Sequence, residues 1–326
     1  MLSVGLILEN GAAPRTVYYD ELVKAIRRNP RFRRSGGRLV VPAEDTAQET
    51  NWPRYGDRPS AYLRGSSHDL SEGGAFSRYL NDIAAYAAEH ADQTLLVLNM
   101  HPFVRLPMFF RVFQNIVVAD GCLASYERSF NRRTISLPAL PMVKPAVGIA
   151  DAAGAAAGER GILASFQGAD SHPVRRVLAE LSSSPRFVVR LVDPRQNHSG
   201  KIDVQAGKTD PDYEELLDRS VFAFVPRGDA LFSYRLLEVM ARGAIPIVLS
   251  DGWVLPFDRL IDWESVALRF HHDAVREIPP LLEAMAPEEV AGLQAGVRLV
   301  YSEYLSGLDR IVEAMFAEAE LILGDA

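Results

Sequence analysis

Between residues 161 and 270 short apolar runs alternate with segments of helical period, and this alternation restricts the fold more than any other feature of the chain. Runs at 161–167, 187–193, 221–226, 244–250 and 265–270 read as strands, with helices at 172–183, 211–219 and 233–242 among them. Strands joined in this way by helices of about ten residues lie parallel, in a sheet covered on both faces. Ligands of such sheets bind beyond the carboxyl ends of the strands, where loops lead into the next helix.

The first half repeats the alternation less regularly. Strands are expected at 4–9, 37–44 and 94–100, and helices at 76–90 and at 18–29, where Pro30 ends the helix. Residues 45–75 read as a polar surface loop, 109–127 as a helix, a turn and a short strand, and 134–141 as an extended segment. An Ala- and Gly-rich stretch at 144–161 has no strong period and reads as a linker. Two domains are therefore expected, 1–150 and 151–326, each large enough to bury its own core. The tail from 287 to 323 reads as helical throughout.

Composition excludes several functions. The formal net charge is −7, which argues against a nucleic-acid partner while leaving room for a local phosphate cleft. Cys122 is the only cysteine, so neither an internal disulfide nor a four-cysteine zinc site can form, and a cytoplasmic setting is expected. The apolar stretch Val4 to Leu8 is too short for a secretory signal. No apolar run approaches the roughly 20 residues of a membrane span, so any membrane association would be peripheral.

The polar groups that interrupt the alternation sit at strand ends. The loop Pro226 to Phe232 follows a buried strand and leads into a helix for which Ser233 is a suitable N-cap. A helix start of this kind attracts an anion. Arg235 in the first turn can fork onto phosphate oxygens, and Glu238, three residues on, can accept hydroxyls of a ribose. Arg227 offers a second cation, and Gly228 lets the backbone approach closely. The next strand also ends in polar residues, "SDGW", with Ser250 and Trp253. Two adjacent strand ends thus carry the polar loops of a ligand crevice.

The segment 212–263, "DYEELLDRSVFAFVPRGDALFSYRLLEVMARGAIPIVLSDGWVLPFDRLIDW", resembles the signature region of exostosin-type glycosyltransferases, family 47. The likeness covers the Pro226–Gly228 turn, Ser233, Arg235, Glu238, Gly243, Pro246, Ser250, the run Leu255-Pro256-Phe257 and Trp263. Upstream, "FQGADSHPVRRVL" (166–178), with Gly168 and Arg175, is similar to the first strand and loop of the family's donor lobe. "LVLNMHPF" (96–103) and "LVVPAEDT" (39–46) are similar to its acceptor-lobe strands. The resemblance implies an α/β fold in the GT-B arrangement, two Rossmann-like lobes facing across a cleft, and a soluble, bacterial-type enzyme. The nucleotide sugar, with UDP as the default, would sit on the C-terminal lobe, and transfer to a glycan or glycoside acceptor would invert the anomeric carbon.

Such a transfer needs a general base and a charge partner for the departing diphosphate. Arg227, Arg235 and Arg175 could neutralise the diphosphate with no metal or other cofactor. For the base, expected from the other lobe, His101 is the first candidate, followed by Asp45 with its neighbour Glu44, and Glu127. Two patterns suggest a metal and are set aside. Asp210-Pro211-Asp212 reads as a helix cap and turn, and His271, His272 and Asp273 lack an apparent further ligand, with adjacent side chains expected to point apart. Trp263 reads as packing, while Trp253 is kept as a donor-site residue. A dehydrogenase would need a G-x-G-x-x-G turn that "ILENGAAPRT" does not supply. The other class to weigh is a non-catalytic, nucleotide-sugar-binding partner subunit. The oligomeric state is not encoded in any readable pattern.

Overall fold

The computed structural model describes residues 4–7, 17–34, 38–40, 75–99, 105–139, 160–192 and 211–324. The chain divides into two compact units, Met1–Leu137 with Val312–Ala326, and Pro138–Ile311. The sequence alone suggests one break within 144–161, and residues 144–159 lie outside the described residues. Grouping the last residues with the first unit has a local cause. Asn29 Nδ2 donates to Glu313 Oε2 at 2.8 Å, and Arg31 pairs with Glu313 at 3.0 Å and Glu320 at 3.1 Å.

Among the described residues the first unit holds five parallel strands in the order β2-β1-β3-β4-β5. They are β1 (Val4–Ile7), β2 (Arg38–Val40), β3 (Thr94–Asn99), β4 (Ile116–Asp120) and β5 (Thr134–Ser136). On one face Leu95, Val97, Ile116 and Val118, two residues apart as the pleat requires, pack with Leu80, Ile83 and Ala87 of helix Ala75–Glu89. Those helix positions recur at helical spacing. Residues 109–127 depart from expectation: a short helix, Leu106–Phe109, precedes the strand β4, and a second helix follows at Ser125–Phe130. The β-branched run "IVV" is completely buried, which favours a central strand over a helix there.

The second unit repeats the topology. Its strands are β6 (Ile162–Ala169), β7 (Phe187–Val192), β8 (Ser220–Pro226), β9 (Ile245–Leu249) and β10 (Leu268–Arg269), all parallel, in the order β10-β9-β8-β6-β7. Within each sheet the first two strands are reversed and the rest run in sequence. The order therefore changes direction between β6 and β8, which is where ligands of open α/β sheets bind. β8 and β9 are buried along their whole length. Each fully buried Phe or Ile there contributes about 1.5–3 kcal/mol.

At the amino end of this sheet Arg160, 6% exposed, donates to the carbonyls of Leu217, Ser220 and Arg242. It ties β8 to the end of helix Arg235–Ala241, which Gly243 closes with φ 64°, a left-handed value suited to glycine. The tail is helical, as expected, but in two parts, Pro287–Val300 and Leu308–Gly324, separated by a widened turn at Tyr301–Leu305. Among the described residues no helix is long and apolar enough to cross a membrane.

Candidate functional site

At the switch point the polar groups of the second unit converge on Phe166, a buried residue near the end of β6. Arg235 lies over one side of its ring, 4.8 Å from the centroid, and Arg175 lies 5.5 Å from the same centroid. Arg235 Nε donates to the Gln167 carbonyl at 2.8 Å, and Nη2 donates to the same oxygen. Gly168 makes room for this: a Cβ there would fall inside the guanidinium, 2.6 Å from Cζ. One turn beyond Arg235, Glu238 Oε2 accepts from the Tyr213 hydroxyl at 2.8 Å. Burial, and then the Glu238 charge, push the Tyr213 hydroxyl well above its ordinary pKa, so it stays a donor.

Arg175 is placed differently from an arm that reaches for a ligand. It is 6% exposed, and Nε, Nη1 and Nη2 donate to the carbonyls of Arg227 (2.9 Å), Ala169 (2.9 Å) and Pro226 (3.3 Å). It joins the loop after β6 to the loop after β8. Burial, and next the neighbouring Arg235, push its guanidinium down to about 10. Gly228 adjoins the same group, since a Cβ there would lie 3.1 Å from Arg175 Nη2 and 3.2 Å from Ser171 Oγ. Arg227 is half-buried and less constrained, with Nε at 3.5 Å from the Gly228 carbonyl.

Three expectations are revised by burial. Ser233 does not cap the helix with its side chain: the helix starts at Arg235, Tyr234 holds the N-cap position in helical conformation, and Ser233 Oγ is buried without a partner. The helix has only seven residues, so the guanidinium groups and not its dipole dominate the local positive charge. Ser250 is buried and donates to the Leu231 carbonyl at 2.6 Å, which fastens the 227–234 loop to the end of β9. Trp253 is 1% exposed, so its ring is enclosed and offers no stacking face in this conformation. Trp263 packs as expected, with Nε1 donating to the Pro256 carbonyl at 2.8 Å.

His101, Asp45 and Glu44 lie outside the described residues. Glu127 is described and fully buried. Its Oε2 accepts from the Ala124 backbone N–H at 3.0 Å and from Arg105 Nη1 at 3.4 Å, while Oε1 has no partner. Burial raises its carboxyl pKa. Its visible work is to cap helix Ser125–Phe130. Sequence reasoning missed a second buried carboxylate beside it. Asp120 ends β4 opposite Asn99 at the end of β3, accepts from Asn99 Nδ2 and the Cys122 N–H at 2.6 Å each, and is pushed up to about 7 by burial. The signal was available: each of these strands is an apolar run ending in one polar residue.

The histidine pair also departs from expectation. The rings of His271 and His272 stack, with centroids 4.3 Å apart, instead of diverging, and a third group joins them from the end of β9. Asp251 Oδ2 lies 3.3 Å from His271 Nε2 and is bonded to His272 Nδ1. Asp210 of the D-x-D pattern lies outside the described residues, and Pro211 and Asp212 open helix Pro211–Asp218.

Comparison with known proteins identifies the family. The family model for the Exostosin GT47 domain matches residues 96–285. Exostosin-1 of Drosophila melanogaster is 35% identical over 105 residues, which cover 32% of this chain and 14% of that protein. The Exostosin-1 homolog of Caenorhabditis elegans is 41% identical over 100 residues, 31% of this chain and 26% of its own length. The matched part is thus a small fraction of either relative. Among solved structures, a glycosyltransferase from Rickettsia africae ESF-5 aligns over 100% of both chains at 8% identity with a TM-score of 0.46.

Proposed function

The chain belongs to the Exostosin GT47 family of glycosyltransferases, and from that premise we propose that it moves a sugar from a nucleoside diphosphate sugar, UDP first among them, to a hydroxyl of a glycan or glycoside. The observation that carries the reading is Arg235 held over Phe166 at the switch point, with Glu238 one turn further along the same helix. In this reading Arg235 and Arg227 take the diphosphate oxygens, and Arg175 fixes the two loops that present them. Glu238 keeps Oε2 on Tyr213 and accepts from a ribose hydroxyl with Oε1. A carboxylate in that role binds the donor and carries no proton during the reaction.

The acceptor oxygen attacks the anomeric carbon as the bond to the diphosphate breaks on the opposite side, which inverts the configuration. The guanidinium groups of Arg235 and Arg227 meet the charge that develops on the leaving diphosphate, so transfer needs no metal. The acceptor proton passes to a base, with His101 first and Asp45 second. Glu127 ranks last because its carboxylate is enclosed and already caps a helix.

Calorimetric titration with UDP, TDP, GDP and ADP, with and without EDTA, tests the reading. One diphosphate should bind in EDTA, and Arg235→Ala or Glu238→Ala should weaken it at least about tenfold, the worth of one lost charge-assisted contact. Binding that ignores both substitutions would refute it.

A further inference from the structure

We propose that Asp251, His271 and His272 form a binding site for one divalent transition metal, zinc by preference, at the carboxyl edge of the second sheet. The site follows from strand pairing. β9 and β10 are parallel neighbours, so the residues after them, Asp251 beyond β9 and the two histidines beyond β10, come out at the same edge. One donor atom from each residue lies within 4.8 Å of the others. A tetrahedral zinc with bonds of about 2.0–2.2 Å sets its ligands roughly 3.3 Å apart, so small side-chain rotations close the site.

A second feature points the same way. Each imidazole presents one nitrogen to Asp251 and the other to Asp273: His271 Nδ1 is 3.4 Å from Asp273 Oδ2, and His272 Nε2 is 3.4 Å from Asp273 Oδ1. Metal-bound histidines commonly have such a carboxylate behind them, because it holds the ring and accepts a hydrogen bond from the N–H of the nitrogen that does not bind. His271 shows the switch. Its Nδ1 accepts from the Asp273 N–H at 3.3 Å, and with a metal on Nε2 the ring proton would sit on Nδ1, whose N–H would donate to the Asp273 carboxylate. Two imidazoles and one carboxylate favour zinc over magnesium, which demands oxygen ligands. Three protein ligands leave a fourth position for water or an oxygen anion.

The test uses the full chain, free of any tag, stripped with EDTA and desalted, and titrated calorimetrically with ZnCl2, MnCl2 or MgCl2 in the absence of nucleotide. It therefore stands or falls independently of the donor reading. One equivalent of zinc should bind, tighter than manganese, with no magnesium signal. Asp251→Asn and His272→Ala should each weaken zinc about 100-fold, and Asp273→Asn about tenfold. Cobalt substitution should give the intense visible band of a four-coordinate ion, lost in His272→Ala. The three substituted side chains, Asp251, His272 and Asp273, are 33%, 41% and 80% exposed, so these variants should melt within a few degrees of the wild type. Absence of a one-equivalent zinc isotherm, or zinc affinity unchanged in both Asp251→Asn and His272→Ala, would overturn the proposal.

Discussion

Gly168→Ala separates the proposed donor site from the fold with one methyl group. The added Cβ would fall inside the Arg235 guanidinium, 2.6 Å from Cζ, and 3.1 Å from Phe166 Cζ. The backbone tolerates alanine, because the positive-φ glycines among the described residues are Gly243 and Gly252. What must move is the end of a flexible side chain, so Arg235 swings off the Gln167 carbonyl and the Phe166 ring. A hydrogen bond to a charged group is worth about 1.5–3 kcal/mol, so if Arg235 grips the diphosphate, UDP affinity should fall about 10- to 150-fold. The melting temperature should move by only a few degrees, because neither a buried apolar group nor a backbone hydrogen bond is lost. Gly228→Ala is the graded control. Its Cβ meets Arg175 and Ser171 at 3.1 and 3.2 Å, a contact that small shifts relieve, and it should weaken UDP only a few-fold. Calorimetry and thermal melts of the two variants read both quantities. If Gly168→Ala binds UDP like the wild type, Arg235 is not the phosphate anchor.

Arg175→Met should act on stability first. It strips guanidinium donors from the carbonyls of Ala169, Pro226 and Arg227, each worth about 1–3 kcal/mol when left unpaired, and should lower the melting temperature by roughly 10 °C. An unchanged melt with abolished UDP binding would make Arg175 a ligand and not a staple. Tyr213→Phe removes the hydrogen bond that steadies Glu238 and should weaken UDP about fivefold, and an effect on ADP equal to that on UDP would place it at the ribose and not the base. Asp120 gives a pH test. Its carboxyl titrates at about 7 when folded and at 3.8 when unfolded, so between those values the native state holds a proton that the unfolded chain has lost. Stability should therefore fall as pH rises from about 4 to about 7, by on the order of 4 kcal/mol, and then level off. Chemical denaturation across pH should show that slope in the wild type and not in Asp120→Asn, and a slope retained in the variant would assign it elsewhere.

The parts of this fold that were legible in the sequence are those set by local pattern. β8 and β9 are unbroken apolar runs with polar ends, so strand, loop and helix could be placed to within a few residues, and Arg235 and Glu238 with them. Residues 109–127 were misread because a run of buried β-branched residues, too short to show a period, fits a helix or a strand equally well by pattern. What joins two segments was not legible at all. Asp251 meets His271 and His272 only because β9 and β10 are neighbours, and Asn99 meets Asp120 only through the register of β3 on β4. Arginine type alone does not say where five donors go, so the pattern that puts Arg175 beside Arg227 and Arg235 as a diphosphate partner does not show that Arg175 spends its donors on three carbonyls. Ser233 illustrates the same limit in reverse: its residue type suits a cap, but Tyr234 turns helical one residue later and leaves the hydroxyl behind.

Two guanidinium groups around one phenyl ring are an expensive arrangement unless something negative is meant to join them. Arg175 and Arg235 repel, and that repulsion, after burial, is the main cause of the lowered pKa of Arg175. Phe166 offsets part of it, since a cation over an aromatic face gains about 0.5–2 kcal/mol, and backbone carbonyls offset more. The charges of Asp229 and Asp170 also offset it, while the groups that accept hydrogen bonds from the two guanidiniums are neutral backbone carbonyls. Had stability alone shaped the cluster, one arginine fewer would remove the strain. Carbonyl dipoles hold the cations in position without neutralising them, so the positive potential stays available to a ligand. In the proposed donor reading a diphosphate would add the opposing charge without first breaking a salt bridge, which is why fixed dipoles and not acidic side chains should surround an anion site of this kind.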